Sequence, residues 1–183
     1  MPNAIVSVFD KTNLNYLGKI LSNLGFNIYA TAGTLNYFIE HKIEAFPVET
    51  IAKNPAGFGS LISSLSFNTL IGTLANNKSQ LGDMPIELID LVVYNFVPTW
   101  SEIKALDDFN VQHVDLGGPT MIKAAAINYK HALPIISPCQ YALVPNFYKL
   151  SMKTRLELAT KALAYCSWYD NKLSEFLMRI QND

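Results

Sequence analysis

The sequence predicts an α/β fold: a mainly parallel sheet with helices on both faces, three layers in all, closed by a C-terminal helical pair. Three observations lead there. Short β-rich apolar runs alternate with longer segments of helical periodicity along the 183 residues. The run "LIDLVVYNF" (88–96) is almost continuously apolar, as a central strand buried on both faces requires. From 151 onward the pattern is helical to the end.

In chain order, "AIVSV" (4–8) reads as the first strand. The helical pattern of 12–25 follows, with Leu14, Leu17, Leu21 and Leu24 on one face and Gly25 ending it. "FNIYAT" (26–31) is a second strand, and 33–42 a second helix carrying Leu35, Phe38 and Ile39. "EAFPVET" (44–50) is a short strand; the next segment (54–77) begins as a loop and ends in the strand-like "TLIGTL". After the long apolar strand, "VDLGGPTMIKAAAINYK" (114–130) reads as strand end, tight turn and helix, and "ALPIIS" (132–137) as another strand. The closing helical segment is expected to break near Ser167. With no repeat, low-complexity stretch or linker, residues 1–183 are read as one domain.

Half of the chain is hydrophobic and only 16 % is charged, below the usual quarter or so. So little surface charge leads to the expectation of a homodimer, in which apolar surface is covered by a second copy. The net charge of −1 and the absence of any Lys/Arg run argue against a nucleic-acid partner. The two arginines, Arg155 and Arg179, lie near the C-terminus. A phosphate site earlier in the chain therefore has to use lysine, hydroxyls and backbone N–H groups. Cys139 and Cys166 have no metal-ligand spacing around them and read as buried free thiols in a reducing compartment, with no metal. The N-terminus lacks a signal-peptide pattern and no run is long enough for a membrane span, so a cytoplasmic protein without a membrane partner is expected.

In open parallel sheets, ligands bind beyond the carboxyl ends of the strands. Four strands are followed there by small and polar residues: "SVFDKT" (7–12), "TAGT" (31–34), "NFVP" (95–98) and "DLGGPT" (115–120). In "TAGT", the helix N-terminus presents unpaired N–H groups, Thr31 and Thr34 add hydroxyls, and Gly33 permits close approach, which suits a phosphate monoester. The same residues also suit an ordinary threonine cap. "SVFDKT" supplies Ser7, Thr12 and Lys11, the main positive charge of such an anion site; equally, Asp10 or Thr12 caps the helix and Lys11 is solvated. In "DLGGPT", Pro119 fits the first helical position, Thr120 and the Gly118 N–H face a ligand, and Asp115 is either a hydrogen-bonding group and general base or a turn-stabilising carboxylate. The three histidines, His41, His113 and His131, read as structural.

"SVFDKTNL", "TAGT", "IELIDLVVYNFVP", "VDLGGPTMIKAAAIN" and the closing "LATKALAYCSWYDNKLSEFL", in this order, resemble the IMP cyclohydrolase domain of the bifunctional purine biosynthesis protein, which has the methylglyoxal-synthase-like fold. The resemblance implies ring closure of a formamidoimidazole carboxamide ribonucleotide with loss of water, and no cofactor. It also implies a stand-alone version, since the family's transformylase domain does not follow. Position by position it assigns the phosphate and ribose region to Ser7, Lys11, Thr12, Thr31, Gly33 and Thr34, and the base side to Asn95, Asp115, Gly117, Gly118 and Thr120. Asp115 and Asn95 are then the catalytic candidates, and Ser64, where the family has a threonine, joins the substrate- and phosphate-binding residues. Phe9 and Ala32 stand for a serine and a glycine. Leu61, Ser63 and Ser66 stand for an arginine, a catalytic lysine and a histidine, Val97 for a tyrosine, and Ile127 for a second lysine. Three readings follow: a divergent cyclohydrolase-type enzyme, an inactive nucleotide-binding regulatory module, or a dimeric scaffold that keeps only the fold.

Overall fold

The computed structural model describes residues 1–54, 63–96 and 114–181. Leu61, Val97 and His113 lie outside them. A five-stranded sheet runs in the order β3–β2–β1–β4–β5, every pair parallel. Its strands are β1 (Asn3–Val8), β2 (Asn27–Ala30), β3 (Phe46–Pro47), β4 (Leu91–Asn95) and β5 (Leu133–Ile135). The helices are α1 (Leu14–Asn23), α2 (Ala32–Glu40), α3 (Glu49–Ala52), α4 (Phe67–Leu74), α5 (Gly117–Ile127) and α6 (Met152–Gln181). Short 3₁₀ segments cover Lys78–Leu81 and Pro138–Lys149.

Strand alternation sorts the core into two layers. On one face, Ala4, Val6 and Val8 of β1 and Leu91 and Val93 of β4 meet Leu14, Leu17 and Leu21 of α1, Phe38 of α2 and Tyr141, Val144 and Phe147 of the 3₁₀ segment. On the other, Ile5, Val92 and Tyr94 meet Met121, Ile122 and Ala125 of α5 and Ala159, Ala162, Cys166 and Tyr169 of α6. This is the three-layer architecture expected from the sequence. The chain steps from β1 outward to β3, then returns to place β4 on the other side of β1. The switch point thus falls between β1 and β4, whose carboxyl ends pair Ser7 with Tyr94 and Val8 with Asn95.

Local signals behave as expected where they are local. Gly25 takes φ 75°, and the Gly25 and Phe26 N–H groups return to the carbonyls of Ser22 and Leu21, which closes α1 in a Schellman turn. Arg155 is 92 % buried (8 % exposed) and anchors the start of α6 by donating to the carbonyls of Phe147 and Tyr129 at 3.2 and 3.4 Å.

Three expectations are corrected. "TLIGTL" is helical, not a strand: Ser66 and Thr69 form a reciprocal capping box that starts α4. Thr69, Gly72 and Thr73 are its buried face, with the Thr73 hydroxyl donating to the Thr69 carbonyl at 2.7 Å. The C-terminal helical pair is one 30-residue helix, α6, because the segment holds neither proline nor glycine and Ser167 sits on its exposed side. Of the two cysteines, Cys166 is buried but Cys139 is exposed.

Gly72 lets α4 lie directly on the segment that leads into β4. A Cβ there would come within 2.2 Å of the Glu87 carbonyl oxygen, and the Gly72 carbonyl accepts from Ile89 N–H at 2.9 Å. Gly72→Ala is expected to lower stability by about 1–3 kcal/mol through overpacking, read as a drop in urea midpoint at unchanged slope.

Candidate functional site

At the switch point the carboxamide of Asn95 reinforces the backbone bond from Phe9 N–H to the Asn95 carbonyl that joins the carboxyl ends of β1 and β4. Asn95 Oδ1 accepts from the backbone N–H groups of Phe9 and Asp10 at 2.5 and 2.7 Å, and its Nδ2 donates to the Asp10 carbonyl at 3.2 Å. Asp10 then turns the chain toward α1 by accepting from Thr12 N–H at 2.8 Å. Bonds from Thr12 hold the Asp10 carboxyl below the usual carboxylate range, so it is ionised at neutral pH. Lys11 reaches back and donates to the Val8 carbonyl, and partial burial lowers its ammonium pKa. The cation thus sits at the end of β1, where the sequence put it, but is partly engaged by the backbone.

The "TAGT" segment arrives as the N-terminus of α2, with Thr31 in extended conformation and no side-chain cap. The Thr31 hydroxyl instead donates to Ser7 Oγ at 2.8 Å. Thr34 is turned inward: its hydroxyl accepts from Val8 N–H at 3.1 Å and returns a longer bond to the Val8 carbonyl. Gly33 is exposed, and a Cβ there would meet nothing within 4 Å. The open part of this edge is therefore the backbone at Ala32 and Gly33, with the Ser7–Thr31 hydroxyl pair beneath it.

Beside Ser7, in register on β4, stands Tyr94. It is 98 % buried (2 % exposed), and its hydroxyl donates to Ser64 Oγ in a very short bond. Burial pushes the Tyr94 phenol far above its ordinary range, so it is a proton donor at any physiological pH. Ser63, the neighbour, has a buried hydroxyl with no hydrogen-bond partner among the described residues.

Asp115 closes the site from the α5 side. Its Oδ1 accepts from Gly118 N–H at 2.8 Å, and its own N–H donates to the Tyr169 hydroxyl at 2.9 Å. Burial raises the Asp115 pKa and the Gly118 bond opposes that rise. Gly118 is required by contact: a Cβ would lie 2.8 Å from Asp115 Oδ2 and 2.9 Å from ring carbons of both Phe96 and Tyr94. So the Gly118 N–H holds Asp115. Thr120 donates to the Leu116 carbonyl at 2.8 Å. Pro119 is the third residue of α5, not the first, because the helix starts at Gly117.

A cleft of about 340 Å³ opens at this edge, lined by Phe9, Asp10, Asn95, Phe96, Ser137 and Trp168 among others. Sequence reasoning missed both this cleft and Tyr94. The structure brings Ser7, Lys11, Thr12, Thr31, Gly33, Thr34, Ser64, Asn95, Asp115, Gly117, Gly118 and Thr120 to the carboxyl side of the sheet. It does not bring Ile127 there. That side chain is 70 % exposed at the far end of α5, roughly 15 Å along the helix from Gly117. Among the described residues no group of three or more His, Cys, Asp or Glu could hold a metal ion, and no helix is long and apolar enough to cross a membrane.

Fold and edge together define a doubly wound α/β domain with a polar carboxyl edge at the switch point. The chain belongs to the MGS-like domain family, whose model matches residues 13–113. It is similar to the bifunctional purine biosynthesis protein PurH of Caldicellulosiruptor saccharolyticus, 34 % identical over 193 aligned residues that cover 98 % of this chain. PurH of Buchnera aphidicola is 29 % identical with 97 % of the chain covered. The chain spans 37 % and 35 % of the length of these two relatives. The crystal structure of ForH superposes with a TM-score of 0.84 at 27 % identity, covering 96 % of this chain and 98 % of that one.

Two outcomes test the geometry. A carboxyl whose pKa is raised on folding stabilises the fold fully only below its unfolded pKa, about 3.9, and that contribution is lost as pH rises through the folded value. Asp115→Asn keeps an oxygen acceptor for Gly118, so its stability relative to wild type should increase between pH 4 and neutrality, roughly the window above. A difference that stays constant in urea titrations across that range would contradict this. Tyr94→Phe strips Ser64 of its buried partner and should cost about 1–3 kcal/mol, measured as a shift in urea midpoint.

Proposed function

We propose that the chain binds a phosphorylated imidazole or purine ribonucleotide across the β1–β4 switch point and closes a ring on it with loss of water. The observation that carries the reading is the convergence at one sheet edge of the α2 N-terminus with its Ser7–Thr31 pair, Lys11, and a half-buried carboxylate, Asp115. The N-terminal N–H groups of α2 suit a phosphate dianion. The relatives named as purine biosynthesis proteins support the substrate class, and the IMP cyclohydrolase resemblance supports the reaction.

In that reaction the carboxamide nitrogen attacks the formyl carbon and a C–N bond forms. Asp115 takes the proton that the nitrogen loses, helped by a pKa already raised by burial. The formyl oxygen takes that proton back from Asp115 and a second from the formamido N–H, the C–O bond breaks to release water, and a C=N bond to the former formamido nitrogen completes the ring. Ser63, Val97 and Ile127 stand where the resembling family has its lysines and tyrosine, so positioning supplies much of the acceleration of this intramolecular step. Ser64 and Asn95 act by holding the edge, through Tyr94 and the Phe9–Asp10 backbone. The low surface charge supports a homodimer, and the absence of a charged run supports a small-molecule partner over nucleic acid.

A second reading, nucleotide binding without turnover, is favoured by one observation: Asp115 spends an oxygen on Gly118 and Lys11 spends its ammonium on Val8. The test is direct. Protein mixed with the formamidoimidazole carboxamide ribonucleotide should yield IMP, followed by absorbance, faster than the spontaneous rate, and Asp115→Ala should lower that rate by about 10²–10⁴. IMP formation at the spontaneous rate, with calorimetric binding of IMP that Lys11→Ala weakens, would select the second reading. No binding at all would sink both.

A further inference from the structure

From the shape of the carboxyl edge, we propose that the aromatic cleft beyond β4 is the seat of the ligand's planar heterocycle, an N–H-bearing ring that stacks against Phe9 and Trp168, beside the buried Phe96, and donates to Asp10. This deepens the nucleotide reading and rests on it for the phosphate end of the ligand.

The wall of the cleft is a continuous set of rings. Phe96 stacks on Tyr165 at 4.5 Å and 18°, and Tyr165 stacks on Trp168 at 5.6 Å and 12°. The wall is also fixed in place. Phe96 N–H donates to the Tyr165 hydroxyl at 3.0 Å, and Phe9 is held by its backbone on Asn95. A rigid aromatic surface is a low-entropy platform for a π-face. Phe9 is 53 % exposed and Trp168 46 % exposed. The polar groups on the rim are the ionised Asp10 carboxylate and the Ser137 hydroxyl, with the Asn95 amide and the Tyr165 and Tyr169 hydroxyls already engaged by backbone. A carboxylate beside aromatic rings accepts ring or amide N–H groups and repels a phosphate.

Strand spacing sets the distance. The anion end, at Gly33 and Thr31, follows β2 beside β1; the cleft lies at the ends of β4 and β5. Two strand spacings separate them, roughly 10 Å, about the reach from phosphate to base in a mononucleotide. The ribose then crosses the switch point itself. Asp115 adjoins the seat, since its N–H rests on Tyr169, which also lines the cleft. The volume, about 340 Å³, falls at the lower end of small-ligand pockets, roughly 300–1,000 Å³.

The experiment compares three probes by calorimetry and tryptophan fluorescence: IMP, inosine (ring without phosphate) and ribose 5-phosphate (phosphate without ring). Phe9→Ala and Trp168→Ala should weaken IMP and inosine about tenfold, within the range for stacking a base on an aromatic side chain, and leave ribose 5-phosphate unchanged. Trp168→Phe should restore most of the loss. Lys11→Ala should weaken IMP and ribose 5-phosphate but not inosine. IMP bound equally by wild type, Phe9→Ala and Trp168→Ala overturns the ring seat and leaves the nucleotide reading standing. Inosine bound in a Phe9-dependent way without any preference for IMP supports the seat and overturns the phosphate assignment. Binding of neither IMP nor inosine overturns both.

Discussion

The carboxamide of Asn95 is the constraint on which the carboxyl edge depends. In a parallel sheet the ends of adjacent strands diverge into separate loops, and at a switch point those loops leave in opposite directions. Backbone pairing joins β1 and β4 as far as Val8 and Asn95, with a last bond from Phe9 N–H to the Asn95 carbonyl, and beyond that point only a side chain can cross. Asn95 crosses with three hydrogen bonds to two consecutive residues of the opposing loop. That one side chain fixes where Asp10 points, where Lys11 begins, and where the ring of Phe9 stands. An alanine at this position would leave the Asp10 N–H and carbonyl to find water, with the 3.3 Å backbone bond from Phe9 N–H to the Asn95 carbonyl still crossing. Asn95 therefore works through geometry, and its role at the edge is to position other groups.

The same logic governs the hydroxyls. Thr34, Thr120 and Ser64 look, by residue type and position, like groups waiting for a ligand. In the folded chain each is engaged internally: Thr34 with Val8, Thr120 with Leu116, Ser64 with Tyr94. A buried hydroxyl without a partner costs more than a satisfied one gains, so the fold uses Thr34 and Ser64 to fasten α2 and the loop before α4 to the sheet, while Thr120 bonds back within the first turn of α5. What is left open to a ligand is mostly backbone at the α2 N-terminus, the Ser7–Thr31 pair, and the carboxylates. Ser63, buried and unpartnered among the described residues, departs from this pattern among the site hydroxyls.

Much of the fold was legible because its signals are short-range. Four leucines at helical spacing and a glycine gave α1 and its end; a continuous apolar run gave β4; placing polar residues after strands gave the edge. The misreadings came from competition between local propensity and cap chemistry. Threonine and isoleucine in "TLIGTL" favour strands, yet Ser66 and Thr69 start a helix whose buried face then holds both threonines. Ser167 looked like a break because polar residues often interrupt helices, but with no proline or glycine nearby the helix runs on. The cleft was not legible at all. Its rings come from Phe9, Phe96, Tyr165 and Trp168, spread over nearly the whole chain, and no spacing rule joins them. Tyr94 could have been found, since a tyrosine in the middle of an otherwise aliphatic buried strand needs a partner for its hydroxyl.

Asp115 shows how the parts constrain one another. It needs Gly118 without a side chain, because a Cβ would strike its carboxylate and two aromatic rings at once. It needs Tyr169 to hold its N–H, and so depends on α6 running unbroken past the position where the sequence suggested a stop. A shorter or kinked α6 would place Tyr169 elsewhere and would also dissolve the stack of Tyr165 and Trp168. The uninterrupted helix is thus what lets one element of the fold support both the carboxylate and the aromatic wall, side by side at the carboxyl edge of the sheet.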